Sequence, residues 1–374
     1  MITKTSQFLK SLKISNPSLL LDKKRVIRNI EKMVRKADDA QIKLRPHFKT
    51  HQSSEIGNWF REFGIDKITV SSIDMAYYFA SHGWEDITVA FLVNMLDIKR
   101  INELAQKIKL NLLVDSEEVI SALNSNLEHP VQVWIKIDVG YGRTGVLWDD
   151  LESVFSLVQK IHCADLLKFS GLLTHSGHTY LATTINDIEI IHAQSVARLS
   201  EIKNNLKAKG YKTFEISVGD TPTCSLMNNF NGVDEIRPGN FVFYDLMQHN
   251  IGSCTENEIA VAVACPVVGK YKNRNQIVVH CGAVHLSKEY LIDSAGKKIY
   301  GYLTSLENHS FGPINQKAPL ISLSQEHGVI QVDNTLFDKI KIADLVLVYP
   351  VHSCLSCNLF KEYQTLDGQV ISRA

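Results

Sequence analysis

The chain has no excess charge of either sign: 40 Lys and Arg residues stand against 40 Asp and Glu residues, for a formal net charge of zero. No charge run or basic stripe stands out, which argues against nucleic acid as the main partner. Long apolar runs are missing as well. No stretch reaches the roughly eighteen apolar residues of a membrane helix, and residues 1–20 hold no apolar core of a signal peptide. The seven cysteines (Cys163, Cys224, Cys254, Cys265, Cys281, Cys354 and Cys357) are odd in number and mostly too scattered for a disulfide framework. Cys354-Leu355-Ser356-Cys357 has the spacing of a redox pair but lacks a second pair and a thioredoxin-like setting. These absences point to a reduced, cytoplasmic protein with a small-molecule substrate. No internal repeat or low-complexity segment occurs.

What is present is an ordinary globular balance, 45% hydrophobic and 21% charged over 374 residues, enough for one large domain and a smaller one. Apolar runs at 43–48, 67–71, 87–91, 110–114, 131–139, 169–173, 214–218 and 235–243 are rich in Val, Ile and Leu and often unbroken by polar residues. Such runs suit parallel strands buried on both faces. Amphipathic segments at 24–40, 53–63, 97–108 and 185–209 predict helices between them. Eight strands alternating with helices predict an α/β fold, a (β/α)8 barrel over 16–250, with a doubly wound open sheet as the alternative. Beyond Asp245 the runs at 259–270, 276–280, 320–323, 328–331 and 344–349 are separated by turn signals with little helical periodicity. They predict a mostly β domain over 251–374, joined by 1–15, with 301–317 as a loop.

Four segments could carry chemistry. Lys49, in Arg45-Pro46-His47-Phe48-Lys49-Thr50-His51, sits where an apolar strand gives way to a polar helix. Desolvation there would make it a Schiff-base nucleophile; the alternative is a surface lysine in a loop. In Gly219-Asp220-Thr221-Pro222-Thr223 a glycine opens a helix start, where backbone N–H groups and the Thr221 and Thr223 hydroxyls could hold an anion, or the segment is a capped helix start and no more. Arg237-Pro238-Gly239-Asn240 offers a fixed donor and a glycine that admits close approach, or a structural arginine beside a bulge. His352 and Cys354 are two apart, so on a strand they share a face and form a zinc-like N/S pair; otherwise they are an unrelated histidine and a buried cysteine.

Together with Asp138-Val139-Gly140-Tyr141-Gly142-Arg143-Thr144-Gly145, His175-Ser176-Gly177-His178-Thr179-Tyr180 and Glu326-His327-Gly328, these segments form an ordered set along nearly the whole chain. The set resembles the D-serine dehydratase / D-threonine aldolase family of fold-type III pyridoxal-phosphate (PLP) enzymes, with an alanine-racemase-like barrel. The resemblance implies that Lys49 holds PLP and that Arg143 stands near its phenolic oxygen. It implies further that Tyr180 contacts the cofactor, that Gly219, Thr221, Thr223 and the Gly239–Asn240 backbone hold its phosphate, and that Arg237 faces the pyridine nitrogen. His352 and Cys354 match the metal ligands of the dehydratase branch, which implies zinc; the aldolase branch has Asp at the place of Cys354. The family further implies a homodimer and a small D-amino acid substrate, D-serine, D-threonine or a 3-hydroxyaspartate. Dehydration to a keto acid and ammonia is the first expectation and aldol cleavage the second. Racemization and a non-catalytic PLP-binding protein are less consistent with a second domain that carries a metal pair. The segment from His280 to His285 and the loop from His309 to Pro313 depart from the family pattern.

Overall fold

Unbroken apolar runs predict strands with no solvent face, and residues Val131–Asp138 show the reason: every residue but Gln132 is buried. The protein, a computed structural model, is described over residues 2–374. It divides into two compact units, one of residues 31–239 with Ala374, the other of residues up to 30 with 240–373. In the first unit β1 is Lys43–Leu44, β2 Lys67–Val70, β3 Asp86–Leu92, β4 Lys109–Val114, β5 Val131–Asp138, β6 Leu167–Leu173, β7 Glu215–Val218 and β8 Glu235–Ile236. From β2 to β8 each strand pairs in parallel with the next, and β8 pairs with β1. A bridge between His47 and Thr69 spans the seam between β1 and β2. This is a nearly closed (β/α)8 barrel, with the amphipathic segments forming helices Lys23–Asp39, Ser54–Arg61, Ile98–Ala105 and Ile185–Ala208.

β1 and β8 are much shorter than their apolar runs. Each run carries a proline, Pro46 and Pro238, which has no N–H to give to a ladder. Their carbonyls still accept: Thr69 N–H donates to Pro46 O at 2.9 Å and His47 N–H to Pro238 O at 2.9 Å. The chain thus stays at the barrel seam without regular strand pairing.

In the second unit six strands pair in an antiparallel circuit: Gln276–His280, His327–Gln331, Asn315–Leu323, Gly301–Thr304, Leu345–Pro350 and Val261–Tyr271, which returns to the first. Two departures from the sequence reading stand out. Residues 18–21, read with the barrel, form strand Ser18–Leu21 antiparallel to Val261–Ala264, with Leu19, Leu20 and Leu21 buried. The expected loop at 301–317 contains strand Gly301–Thr304, fixed by pairing with the distant Leu347–Pro350, and a local hairpin of Leu306–Glu307 with Ser310–Phe311. Helix Ile2–Ser11 also belongs to this unit, where Ser6 Oγ donates to Asp344 Oδ1 and accepts from Leu345 N–H, both at 3.0 Å. Met1 lies outside the described residues.

A buried polar chain runs through the barrel. Arg45 pairs with Asp86 and donates from Nε to Glu235 Oε2 at 2.7 Å. Ser217 Oγ donates to Glu235 Oε1 at 2.7 Å and accepts from Arg237 Nε at 2.7 Å, and Arg237 Nη2 donates to the Thr174 carbonyl. Glu235 is 1% exposed, so removing its cation would strand a charge away from water. Arg45→Ala is therefore expected to cost the barrel about 3–5 kcal/mol. All four tryptophans, Trp59, Trp84, Trp134 and Trp148, lie in this unit, so their fluorescence during urea unfolding reports it. A loss under about 1 kcal/mol, the scale of an exposed pair, would show that Glu235 does not depend on Arg45.

Candidate active site

In a parallel barrel the C-terminal ends of the strands gather side chains from distant parts of the chain. Here Lys49 follows β1, Lys136 and Asp138 end β5, His175 follows β6, Gly219 follows β7 and Arg237 follows β8. Lys49 is exposed, which corrects the expectation of a desolvated amine. In the turn at 48–51 Phe48 takes the inward place, with ring centroids 5.0 Å from Phe60, 5.0 Å from Phe79 and 5.1 Å from Trp84, and Lys49 is left on the open side.

The mouth gathers basic groups. Burial, then the charges of Lys49, Arg237, His175 and His51, lowers His47 well below the ordinary histidine range. His175 is brought down to about 3, chiefly by burial, with Lys49, Arg143 and Lys136 adding to the effect. Its Nδ1–H donates to the Gly219 carbonyl at 2.6 Å, so the other ring nitrogen keeps its lone pair. Burial and the charges of Arg237 and Arg143 lower Lys136 to about 7. Arg237 is lowered to about 10 by burial, still a cation at neutral pH. Asp138 spends its carboxylate locally, accepting N–H bonds from Gly140, Tyr141 and Gly142 at 2.8–2.9 Å, and so shapes the loop that carries Arg143. Arg143 lies over the Tyr141 ring at 5.3 Å.

Asp220 caps helix Thr221–Leu226, accepting from Thr223 N–H at 2.8 Å. Tyr180 OH accepts from Thr221 N–H at 3.3 Å. The Thr221 and Thr223 hydroxyls are buried without a hydrogen-bond partner. Orphaned donors beside these basic groups fit an anionic, phosphate-bearing group such as PLP. Gly239 has a packing reason of its own: a Cβ there would lie 2.9 Å from the His47 carbonyl oxygen.

His352 and Cys354 come together by a different route from the one expected. The strand ends at Pro350, and His352 is the N-cap of a short helix, Ser353–Cys357, so the pair meets across a helical start. Burial opposes charge on His352, but its hydrogen bond to Cys354 and the thiolate charge outweigh that. With Asp245 and Glu289 they push it up to about 9. Asp245 braces the turn, its Oδ2 accepting from Ser353 N–H at 2.8 Å and from Asn240 Nδ2 at 2.7 Å. Asn240 Nδ2 also reaches Cys354 Sγ at 3.5 Å. A divalent ion would displace the proton that His352 holds beside Cys354, leaving a neutral imidazole and a thiolate, a donor set for a borderline-soft ion such as zinc.

Three residues at the mouth were passed over as candidates: His47, Lys136 and His175. Lys136 was legible as a lone cation in an otherwise apolar strand; His47 and His175 stood in the quoted motifs, but nothing in spacing marks their depressed basicity.

A nearly closed parallel barrel with basic groups at its mouth, followed by an antiparallel β unit, is the architecture of a fold-type III PLP enzyme. Residues 21–246 match the family described as alanine racemase, N-terminal domain, and residues 260–366 match the serine dehydratase domain family. The chain is 31% identical to D-serine dehydratase from Dictyostelium discoideum, over 96% of this chain and 95% of that one. It is 28% identical to D-threo-3-hydroxyaspartate dehydratase from Delftia sp., over 96% of each, and the structure of that enzyme superposes with a TM-score of 0.89 over 97% of this chain and 98% of that one. It is 24% identical to 3-hydroxy-D-aspartate aldolase from Paracoccus denitrificans, over 94% and 88%. The chain belongs to the alanine-racemase-like family that carries a serine dehydratase domain, and with it to the PLP-dependent lyases. Among the described residues no helix is long and apolar enough to cross a membrane.

The depressed His175 has a pH consequence. Its folded value, about 3, lies below the roughly 6.5 of an unfolded histidine, so the unfolded chain takes the proton first. Stability is full above about pH 6.5 and falls as pH falls toward 3. His175→Asn should flatten that limb by about 1.4 kcal/mol per pH unit, read as urea midpoints between about pH 6 and 4. Identical slopes in variant and wild type would show that His175 protonates as readily folded as unfolded.

Proposed function

We propose that the chain is a PLP- and metal-dependent dehydratase of small β-hydroxy D-amino acids, D-serine foremost, releasing a 2-keto acid and ammonia. The observation that carries this reading is the gathering of basic groups at the barrel mouth, Lys49, Lys136, Arg143 and Arg237, beside the orphaned Thr221 and Thr223 hydroxyls. PLP supplies an electron sink for the charge left at Cα, and a divalent ion supplies a Lewis acid for the β-hydroxyl, whose departure is otherwise poor.

The remaining work falls to side chains. Lys49 Nζ would hold the cofactor and would serve as the base for the Cα proton. Thr221 and Thr223, with Tyr180 and the backbone at Gly219 and Gly239–Asn240, hold the phosphate. Arg143 donates toward the phenolic oxygen. Arg237, kept cationic, would leave the ring nitrogen unprotonated and the sink weak, which increases the need for help at the leaving group. His352 and Cys354 would hold the metal, zinc by their N/S chemistry, and a structure of a cysteine-to-alanine mutant of the Delftia enzyme in the metal-free form fits a metal-binding relative. Among the described residues none of the seven cysteines is in a disulfide, the form a reducing cytoplasm keeps, and the reading includes a homodimer there.

The test is a product assay on PLP-loaded protein with D-serine, D-threonine and D-threo-3-hydroxyaspartate, L-isomers as controls, before and after chelation and zinc return. Keto acid and ammonia, lost on chelation and restored by zinc, are expected. Glycine with an aldehyde would replace the reading by the aldolase one, and no turnover would favour a PLP-binding protein. Lys49→Ala should abolish the cofactor's visible band and all turnover. Cys354→Ala should retain the band and lower turnover by about 100-fold or more, the scale of several kcal/mol of Lewis-acid stabilisation.

A further inference from the structure

The segment from His280 to His285 is not used by the chemistry above. His280 ends its strand directly opposite His327, the residue that follows Glu326 in the chain. His280 Nε2 lies 3.5 Å from Glu326 Oε2. His285, on the short turn Ala283–Leu286, meets the His280 ring edge-on, with centroids 5.7 Å apart at 90°. One ligand atom from each of His280, His285 and Glu326 lies within 4.8 Å of the others.

The backbone under these side chains is already locked. Cys281 N–H donates to the Glu326 carbonyl at 3.0 Å and Ala283 N–H to the Ser324 carbonyl at 2.8 Å. Gly282 makes the approach possible, because a Cβ there would sit 2.1 Å from the Gln325 carbonyl oxygen. An ordinary surface ion pair would need only His280 and Glu326. The third ligand, delivered by a turn clamped to the same strand end, is what a pair does not explain.

We propose that His280, His285 and Glu326 form a second metal site, for a divalent transition ion with affinity for nitrogen. Two imidazoles and one carboxylate, all partly open to solvent, leave a fourth tetrahedral position for water and suit zinc, cobalt or nickel rather than calcium or magnesium. Burial lowers the basicity of His285, which keeps its ring neutral and able to ligate at neutral pH. Its Nδ1 accepts a 3.2 Å hydrogen bond from Gly282 N–H. Ligation through Nε2 puts a proton on Nδ1, so this one contact is given up in exchange for the metal–nitrogen bond. A bound ion would tie the 283–286 turn to the 324–327 strand start through side chains as well as backbone.

The test is cobalt titration of the PLP-loaded full chain after chelation, followed by absorption and by competition with zinc. Two equivalents per chain are expected, one with a thiolate-to-cobalt charge-transfer band from Cys354 and one with ligand-field bands alone. Glu326→Gln, at an exposed position, and His280→Ala should each weaken the second equivalent by about 100-fold or more, the effect of losing one ligand or its close partner. Both should keep the thiolate band and the turnover on D-amino acids. Cys354→Ala should remove the thiolate band and leave the other equivalent in place, so failure of either site is seen separately. Wild-type protein that takes up no equivalent beyond the thiolate one, or variants that keep both, would overturn the proposal.

Discussion

The barrel is built around charges it cannot expose. Asp86, Arg45, Glu235, Ser217 and Arg237 form one hydrogen-bonded line from the start of β3 to the end of β8, with two cations balanced by two carboxylates. In a low-dielectric interior each member needs its neighbour, because an unpaired charge there costs several kcal/mol. The line therefore constrains how β1, β3, β7 and β8 are placed against one another, and it ends in a guanidinium fixed to the Thr174 carbonyl at the mouth. The other cations at the mouth, Lys49, Lys136 and Arg143, stand near the buried carboxylates Asp138 and Asp220, which are engaged by backbone N–H groups of their own loops. A site with these cations is poised for an anion, and its histidines stay neutral chiefly because they are buried, with the surrounding positive charges adding to the effect.

Much of this was legible in the amino-acid order. Val131–Asp138 could be read as a strand because it is buried on both faces, and burial leaves an unbroken apolar run. The ends of β1 and β8 were misread because a proline removes a donor without changing hydrophobicity. Ser18–Leu21 and Gly301–Thr304 depend on partners far along the chain, so neither carries a local signal of the sheet it joins. In the site, residue types and their order were enough to find Lys49, Arg143, Tyr180, the 219–223 loop, Arg237 and the His352/Cys354 pair as candidates. The local geometry was another matter. Lys49 is exposed because Phe48 takes the buried place, and His352 meets Cys354 at a helix start rather than along a strand.

The second unit solves an analogous problem with one arginine. Arg25 donates to the carbonyls of Glu256, Ile259 and Phe311 and to Ser310 Oγ, and pairs with Asp22 at 3.3 Å. A rigid planar fork can satisfy several carbonyls that a sheet leaves unpaired at its margin, which a lysine could not do. This draws residues near the beginning of the chain into the unit formed by its second half.

The strand Ser18–Leu21 carries a cost measured in time. Its antiparallel partner begins at Val261, 240 residues later. At about 5–20 residues per second, a ribosome needs roughly 12–48 s to supply that partner. For that interval three leucines with nowhere to pair are available to chaperones or to neighbouring nascent chains, while the strands of the intervening barrel are completed. Long-range pairing of this kind slows folding, so the yield of protein made in cells should depend more on translation speed and chaperone supply than on the final stability of either unit.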